Sequence, residues 1–167
     1  RAGLNNCVDL DQSNAHYYGQ RERHPFKPAL DHYINSKANV RAEIAKATGT
    51  NIDMAKKLLL QITYGGKIET WCEVNAVHIG MIPAFVFEFQ TEQEGIRKID
   101  ADSKPELSRG ITKPDPSKTC QSWLNMIYER RTLEQMEQAV GNLGTVCSRE
   151  FDGLFIQNTD LNPCDEE

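Results

Sequence analysis

At 167 residues, 39% of them hydrophobic and 26% charged, with a formal net charge of −5, the chain has the make-up of an ordinary globular protein with room for a buried core. The negative balance argues against a protein that coats nucleic acid by bulk electrostatics, since phosphate contacts need lysine and arginine. The longest apolar runs, at 58–60 and 84–87, are far too short to span a bilayer, so no membrane span is expected.

Five cysteines, Cys7, Cys72, Cys120, Cys147 and Cys164, are scattered without a CxxC pair or a histidine at zinc spacing. That pattern predicts free thiols in a reducing, intracellular compartment. The sequence begins with Arg1 rather than Met and shows no basic segment followed by an apolar one, which suits a processed form or part of something longer.

In chain order, residues 7–10 read as a short strand, and polar residues from 11 to 19 lead away toward a short helix. Pro25 and Pro28 close a turn. Pro28 suits a first helical position, and Leu30, Tyr33, Ile34, Val40, Ile44 and Ala47 recur at helical spacing up to Gly49. Thr50 or Asn51 caps a second helix, with Met54, Ala55, Leu58, Leu59 and Ile62 on one side, Lys56, Lys57 and Gln61 on the other, and Gly65-Gly66 as its stop. Residues 79–98 fit either alternation or helical spacing, and a helix after Pro83 is expected. The stretch 100–116, rich in proline, serine and charge, reads as a surface loop. From Ser117 a long helix runs through Trp123, Ile127, Leu133, Met136 and Val140 to a glycine stop at Gly141 or Gly144. Residues 146–151 and 154–156 read as strands around Asp152-Gly153, a pair that favours a two-residue hairpin because both residues tolerate positive φ.

The expected fold class is therefore α+β, a helix-rich domain with a small antiparallel sheet built from 7–11 and the 146–157 hairpin. One domain spans 1–167, with a helical lobe at about 20–66. Residues 18–67 hold nine basic and four acidic side chains, a local excess that suits a phosphate-handling protein, although a solvated helix face accounts for it without any function.

The chemistry-bearing residues sit at the two ends. A hairpin-tip Asp152 acquires meaning if Asp9 or Asp11 meets it, because two acids on converging strands can hold two divalent cations about 3.5–4 Å apart and clamp a transferring phosphoryl group. By itself Asp152-Gly153 is an ordinary turn, and Asp9 and Asp11 flanking Leu10 are an ordinary strand-end pair. The four histidines, His16, His24, His32 and His78, show no metal or triad spacing.

This order of elements resembles the palm and fingers of template-directed DNA polymerases, closest to divergent family A-like sequences of viral or mobile-element type. The likeness covers roughly 8–158. It rests on the Asp-apolar-Asp-x-x-Asn-Ala-His segment at 9–16, the lysine-bearing helix ending in Tyr64-Gly65, and the Phe-Asp-Gly hairpin at 151–153. The resemblance implies Asp9 as the first metal aspartate in a family A register, with Asn14 in place of a sugar-sensing glutamate. In a family B-like register it implies Asp11, with His16 under the sugar. It implies Lys56 or Lys57 as the cation facing an incoming triphosphate, Tyr64 with Gly65 beside the templating base, and Asp152 as the third-motif acid, with Glu150 as a substitute for a missing neighbouring glutamate. Glu129 on the long helix would contact primer or template if it faced the cleft.

Mg²⁺, primer-template nucleic acid and nucleoside triphosphates are the implied cofactor and partners, and Asp9, Asp11 and Asp152 the implied catalytic and metal-binding residues. Ile52 departs from the family pattern, standing where an arginine is expected. The sequence also begins near the first motif and ends just after the third, so neither a thumb nor a proofreading domain is expected within it. Those departures leave two other readings, a retired palm-like domain acting as a structural or interaction subunit with protein partners in a larger assembly, and a binding module whose basic lobe holds an acidic partner.

Overall fold

A computed structural model describes residues 7–11, 15–107, 109, 115–140, 145–150 and 153–157. The elements are β1 (Cys7–Asp11), α1 (Ala15–Arg23), α2 (Pro28–Thr48), α3 (Ile52–Thr63), α4 (Ile68–Asn75), α5 (Ala84–Ser103), α6 (Pro116–Val140), β2 (Thr145–Glu150) and β3 (Gly153–Gln157), with 3₁₀ turns at Ile79–Met81 and Pro105–Leu107.

The expected α+β class is corrected by this inventory, for the chain is mainly helical. Segments that lacked a clear pattern in the sequence are helical too. Residues 68–75 form α4, and α5 continues to Ser103, into the stretch expected to be a surface loop. The strands are only five, six and five residues long and do not set the class.

The chain divides into two compact units, one of residues 20–124 and one of residues 1–19 with 125–167. The helical unit therefore extends well past position 66.

Local chemistry explains the helices of the 20–124 unit. Pro28 opens α2, where its missing N–H removes nothing. The Glu92 carboxylate of α5 then accepts from the Ala29 and Leu30 amides at 3.1 and 3.0 Å, replacing a side-chain cap. Gly49 ends α2 at φ 66°, and the Gly49 and Thr50 amides bond back to the Lys46 and Ala45 carbonyls, the pattern that makes glycine the usual stop. Asn51 caps α3 by accepting from the Met54 amide at 2.9 Å.

The apolar faces so aligned meet in one core. Leu30, Tyr33 and Ile44 of α2, Leu58, Leu59 and Ile62 of α3, Ile68 of α4, and Phe89 and Ile96 of α5 are all fully buried. Tyr33 meets Phe89 edge to face at 5.7 Å between centroids, a favoured aromatic geometry.

The same unit also buries polar groups. His24 Nε2 lies 2.7 Å from Asp100 Oδ1, and Arg23 approaches the other oxygen of that carboxylate at 3.5 Å. Asp100, expected at the start of a surface loop, is 3% exposed in α5, where the Arg23 guanidinium offsets its charge and the His24 ring hydrogen-bonds to it. Gln93 donates to Gln20 at 2.8 Å and accepts from Gln121 at 3.4 Å, forming a buried chain of amides.

The other unit gathers segments from both ends of the sequence. Its sheet has the order β1-β3-β2, all antiparallel, with β3 in the centre. β1 pairs with β3 so that Asp9 faces Phe155 and Asp11 faces Gly153 in register, and β2 pairs Glu150 with Gly153 after a bulge between Val146 and Ser148. Gly153 is thus a strand residue rather than half of the turn expected at 152–153, and positions 151 and 152 lie outside the described residues. Leu154 on β3 is fully buried and clusters with Leu133 of α6, against which Met136 and Val140 pack. Gly19 lets α1 approach Tyr128 closely, since a Cβ there would come within 2.6 Å of the ring. Among the described residues no helix is long and apolar enough to cross a membrane.

Candidate functional site

Two groups of chemistry-bearing residues result, one in each unit. In the sheet unit, Asp9 and Asp11 occupy alternate positions of β1, paired with Phe155 and Gly153 of the central strand. Adjacent strands lie about 4.8 Å apart. The pairing therefore joins the first acid-bearing segment to the strand that follows Asp152 directly in sequence, across more than 140 residues of chain. Asp152 and Asn14 themselves lie outside the described residues.

Carboxylates are the donor type that Mg²⁺ takes, so the residue types at 9, 11 and 152 suit that ion chemically. Among the described residues, no group of three or more His, Cys, Asp and Glu side chains is placed to hold a metal. His16, the residue expected under a sugar, sits on α1 with its Nδ1 2.8 Å from the Glu129 carboxylate of α6. The two residues marked out for substrate and primer contact therefore hold each other. Both are partly buried, with side chains 30% and 19% exposed, which leaves one edge of the pair open to solvent.

In the helical unit, α3 carries Lys56 and Lys57, both exposed, and Tyr64 is its C-terminal cap residue, with an amide that donates to the Leu60 carbonyl at 3.2 Å. Helical geometry separates the two lysines. Lys57, Gln61 and Tyr64 recur at i, i+4 and i+7 and so share one face, whereas Lys56 is turned about 80° around the axis from Tyr64. The lysine in line with the tyrosine is Lys57.

Tyr64 also lines a cleft of about 540 Å³ with Gln61, Gly65, Gly66, Lys67, Thr70 and Lys118. Gly65 has φ +82°, a left-handed turn that favours glycine, and the flexible Lys118 side chain passes close to it. An adjoining cleft of about 520 Å³ shares Gly65, Lys67 and Lys118 and adds Arg97, Lys98, Asp102 and Asp115 among its lining residues.

The electrostatics divide the two clefts. The first holds two lysines and no acid, while the second mixes signs. Arg97 is buried and donates to the Ile62 and Thr63 carbonyls at 2.8 and 3.3 Å, tying down the C-terminal end of α3. Burial pulls its pKa down, against the opposing pull of Glu94 and Asp115. The Ser117 hydroxyl bond holds the Asp115 carboxyl below the ordinary range, and Lys118 adds to the effect. Cys72 and Cys120 are free and buried, and burial raises both thiols, which makes them inert rather than nucleophilic.

Sequence reasoning singled out Tyr64 and Gly65 but missed Lys67, Thr70 and Lys118. Lys67 follows the Gly65-Gly66 stop directly and could have been found there. Lys118 is 54 positions beyond Tyr64, and only the fold brings it to the cleft.

No family profile matches the chain, no curated protein matches its sequence, and no solved structure matches its fold.

Proposed function

We propose that the protein performs template-directed nucleotidyl transfer, with the sheet unit as its catalytic floor. The observation that carries the reading is the pairing of β1 with β3, which sets Asp9 and Asp11 on the strand next to the one that Asp152 precedes. Asp9 or Asp11 together with Asp152 would hold Mg²⁺, whose charge lowers the pKa of a primer 3′-hydroxyl and stabilises a pyrophosphate leaving group. The chain's own contribution is positioning. Within the helical unit, taken by itself, Lys57 is an exposed cation on the face of Tyr64, and Tyr64 borders a glycine turn. The two lysines of the acid-free cleft add positive charge beside that ring.

The test is primer extension in Mg²⁺ with the wild-type chain and Asp152→Asn. The wild type should extend a primer on a template, and the variant should lose extension while keeping its thermal unfolding midpoint. Undiminished extension by the variant removes the assignment.

A second reading, a structural or interaction subunit with protein partners, draws on a different observation. Val74, Ile79 and Met81 of the helical unit are 78%, 40% and 44% exposed over a short stretch of chain, apolar side chains of the kind that assemblies cover. A chain that neither binds Mg²⁺ nor extends primers, and that associates through these side chains, would favour it.

A further inference from the structure

Among the described residues, two that are not glycine have positive φ, Phe26 at 66° and Ala76 at 53°. Ala76 is explained by its position. It ends α4, and its amide together with that of Val77 satisfies carbonyls of the last turn.

Phe26 has no such role. It lies between α1 and α2, terminates neither, and its side chain is 91% exposed. A bulky L-residue in the left-handed region is disfavoured by contact between its Cβ and the following carbonyl, and a ring wholly in water recovers nothing by burial. Two disfavoured choices thus coincide in one residue, and strain of this kind is a pointer to function when its surroundings hold it in place.

The surroundings do hold it. On one side His24 is buried and bonded to Asp100. On the other, Ala29 and Leu30 are buried, with both amides bonded to Glu92. Pro25 and Pro28 fix their own φ angles within the short span between these anchors. The ring is displayed on a braced segment rather than on a loose tip.

The chemistry around the ring selects the ligand. In residues 21–27 Arg23 is taken up by Asp100, and the residues flanking Phe26 are a proline and the lysine Lys27. A protein pocket would call for further apolar neighbours around such an anchor. An exposed aromatic face with a lysine next to it in the chain instead suits stacking of an unpaired base and contact with the phosphate beside it.

We propose that Phe26 is a stacking platform for an unpaired nucleobase of a single-stranded nucleic acid, with Lys27 next to it drawing in the adjoining backbone. The inference rests on the nucleic-acid half of the reading above and not on its transfer chemistry.

The experiment is fluorescence anisotropy of a labelled oligo(dT) of about twelve nucleotides, a length within the span of one single-strand site, with the full chain. Phe26→Ala should weaken binding by roughly 5- to 100-fold, the range seen when one base-stacking aromatic is removed. Phe26→Trp should restore it, and Phe26→Leu, apolar but without a π face, should not. Phe26→Gly should raise the unfolding midpoint by relieving the positive φ while binding as poorly as the alanine variant, so that loss of binding is not loss of fold.

Failure of the wild type to bind the oligonucleotide, equal binding by wild type and Phe26→Ala, or full rescue by leucine would each overturn the inference. A wild type that self-associates through Phe26, as judged by sedimentation of wild type against Phe26→Ala, would overturn it in favour of a second copy as occupant. Unchanged oligonucleotide binding by Asp152→Asn alongside lost extension would leave both readings standing. A chain that extends primers but binds oligo(dT) independently of Phe26 would overturn this inference alone.

Discussion

The helical unit and the sheet unit are assembled from the chain in opposite ways. The helical unit is one continuous stretch, 20–124, whose helices begin and end on their own local chemistry, at Pro28, Gly49 and Asn51. The sheet unit is sewn from the two ends of the sequence, and its central strand β3 finds β1 only after everything between them has been traversed. Closing a loop of that length costs about 4 kcal/mol beyond a constant if the intervening chain is disordered. An ordered helical unit shortens the effective loop, so the sheet that carries Asp9 and Asp11 depends on the helices more than the helices depend on the sheet.

That asymmetry can be broken at either end. The largest effect is expected from Asp100→Ala, which leaves the Arg23 guanidinium and the buried His24 ring without their shared carboxylate and should cost about 3–5 kcal/mol, the range for removing one member of a buried ion pair. Amide hydrogen exchange should show lost protection in the helices and in the strands together. Leu154→Ala should cost about 2–4 kcal/mol, because a fully buried leucine is removed from a small cluster with Leu133. Its exchange signature should differ, with protection falling in the strands while α2, α3 and α5 keep theirs. If both variants melt the same set of amides, the two units fold as one and the comparison fails.

The degree to which the sequence announced each unit follows the same division. The cap at Asn51, the stop at Gly49, the helix after Pro83 and the long helix from Pro116 were legible because each depends on neighbours within a few residues. The helix α4 was missed because its eight residues carry too short an apolar repeat to stand out, and its first amide is satisfied by Gln90, 22 positions away. Asp100 was misplaced on the surface because a charged residue near prolines looks solvated until His24, 76 positions distant, is known to face it. The mainly helical class was misjudged for a related reason, since readable strand signals at the two ends of the chain outweighed a middle whose helices were only partly visible.

At the candidate site, residue types were legible and partnerships were not. Tyr64 and Gly65 stood out as a helix end, whereas Lys118 reaches their cleft only through the fold. His16 and Glu129 each looked available for a substrate, and the structure binds them to each other. The spacing left Lys56 and Lys57 as alternatives, and the turn of the helix that carries them puts Lys57, not Lys56, on the face of Tyr64.

The central claim is that pairing β1 with β3 gives the chain a divalent-cation site made of Asp9 or Asp11 with Asp152. Mn²⁺, which takes the same oxygen ligands as Mg²⁺ and has a visible electron paramagnetic resonance signal when free, tests it without any assay of activity. Titrating Mn²⁺ into the wild type should remove free signal in a saturable way, and Asp152→Asn, equally folded, should weaken that binding by about tenfold or more, the loss expected when one of few carboxylate ligands is neutralised. Identical titrations for the two proteins, or no saturable binding by the wild type, would contradict the account.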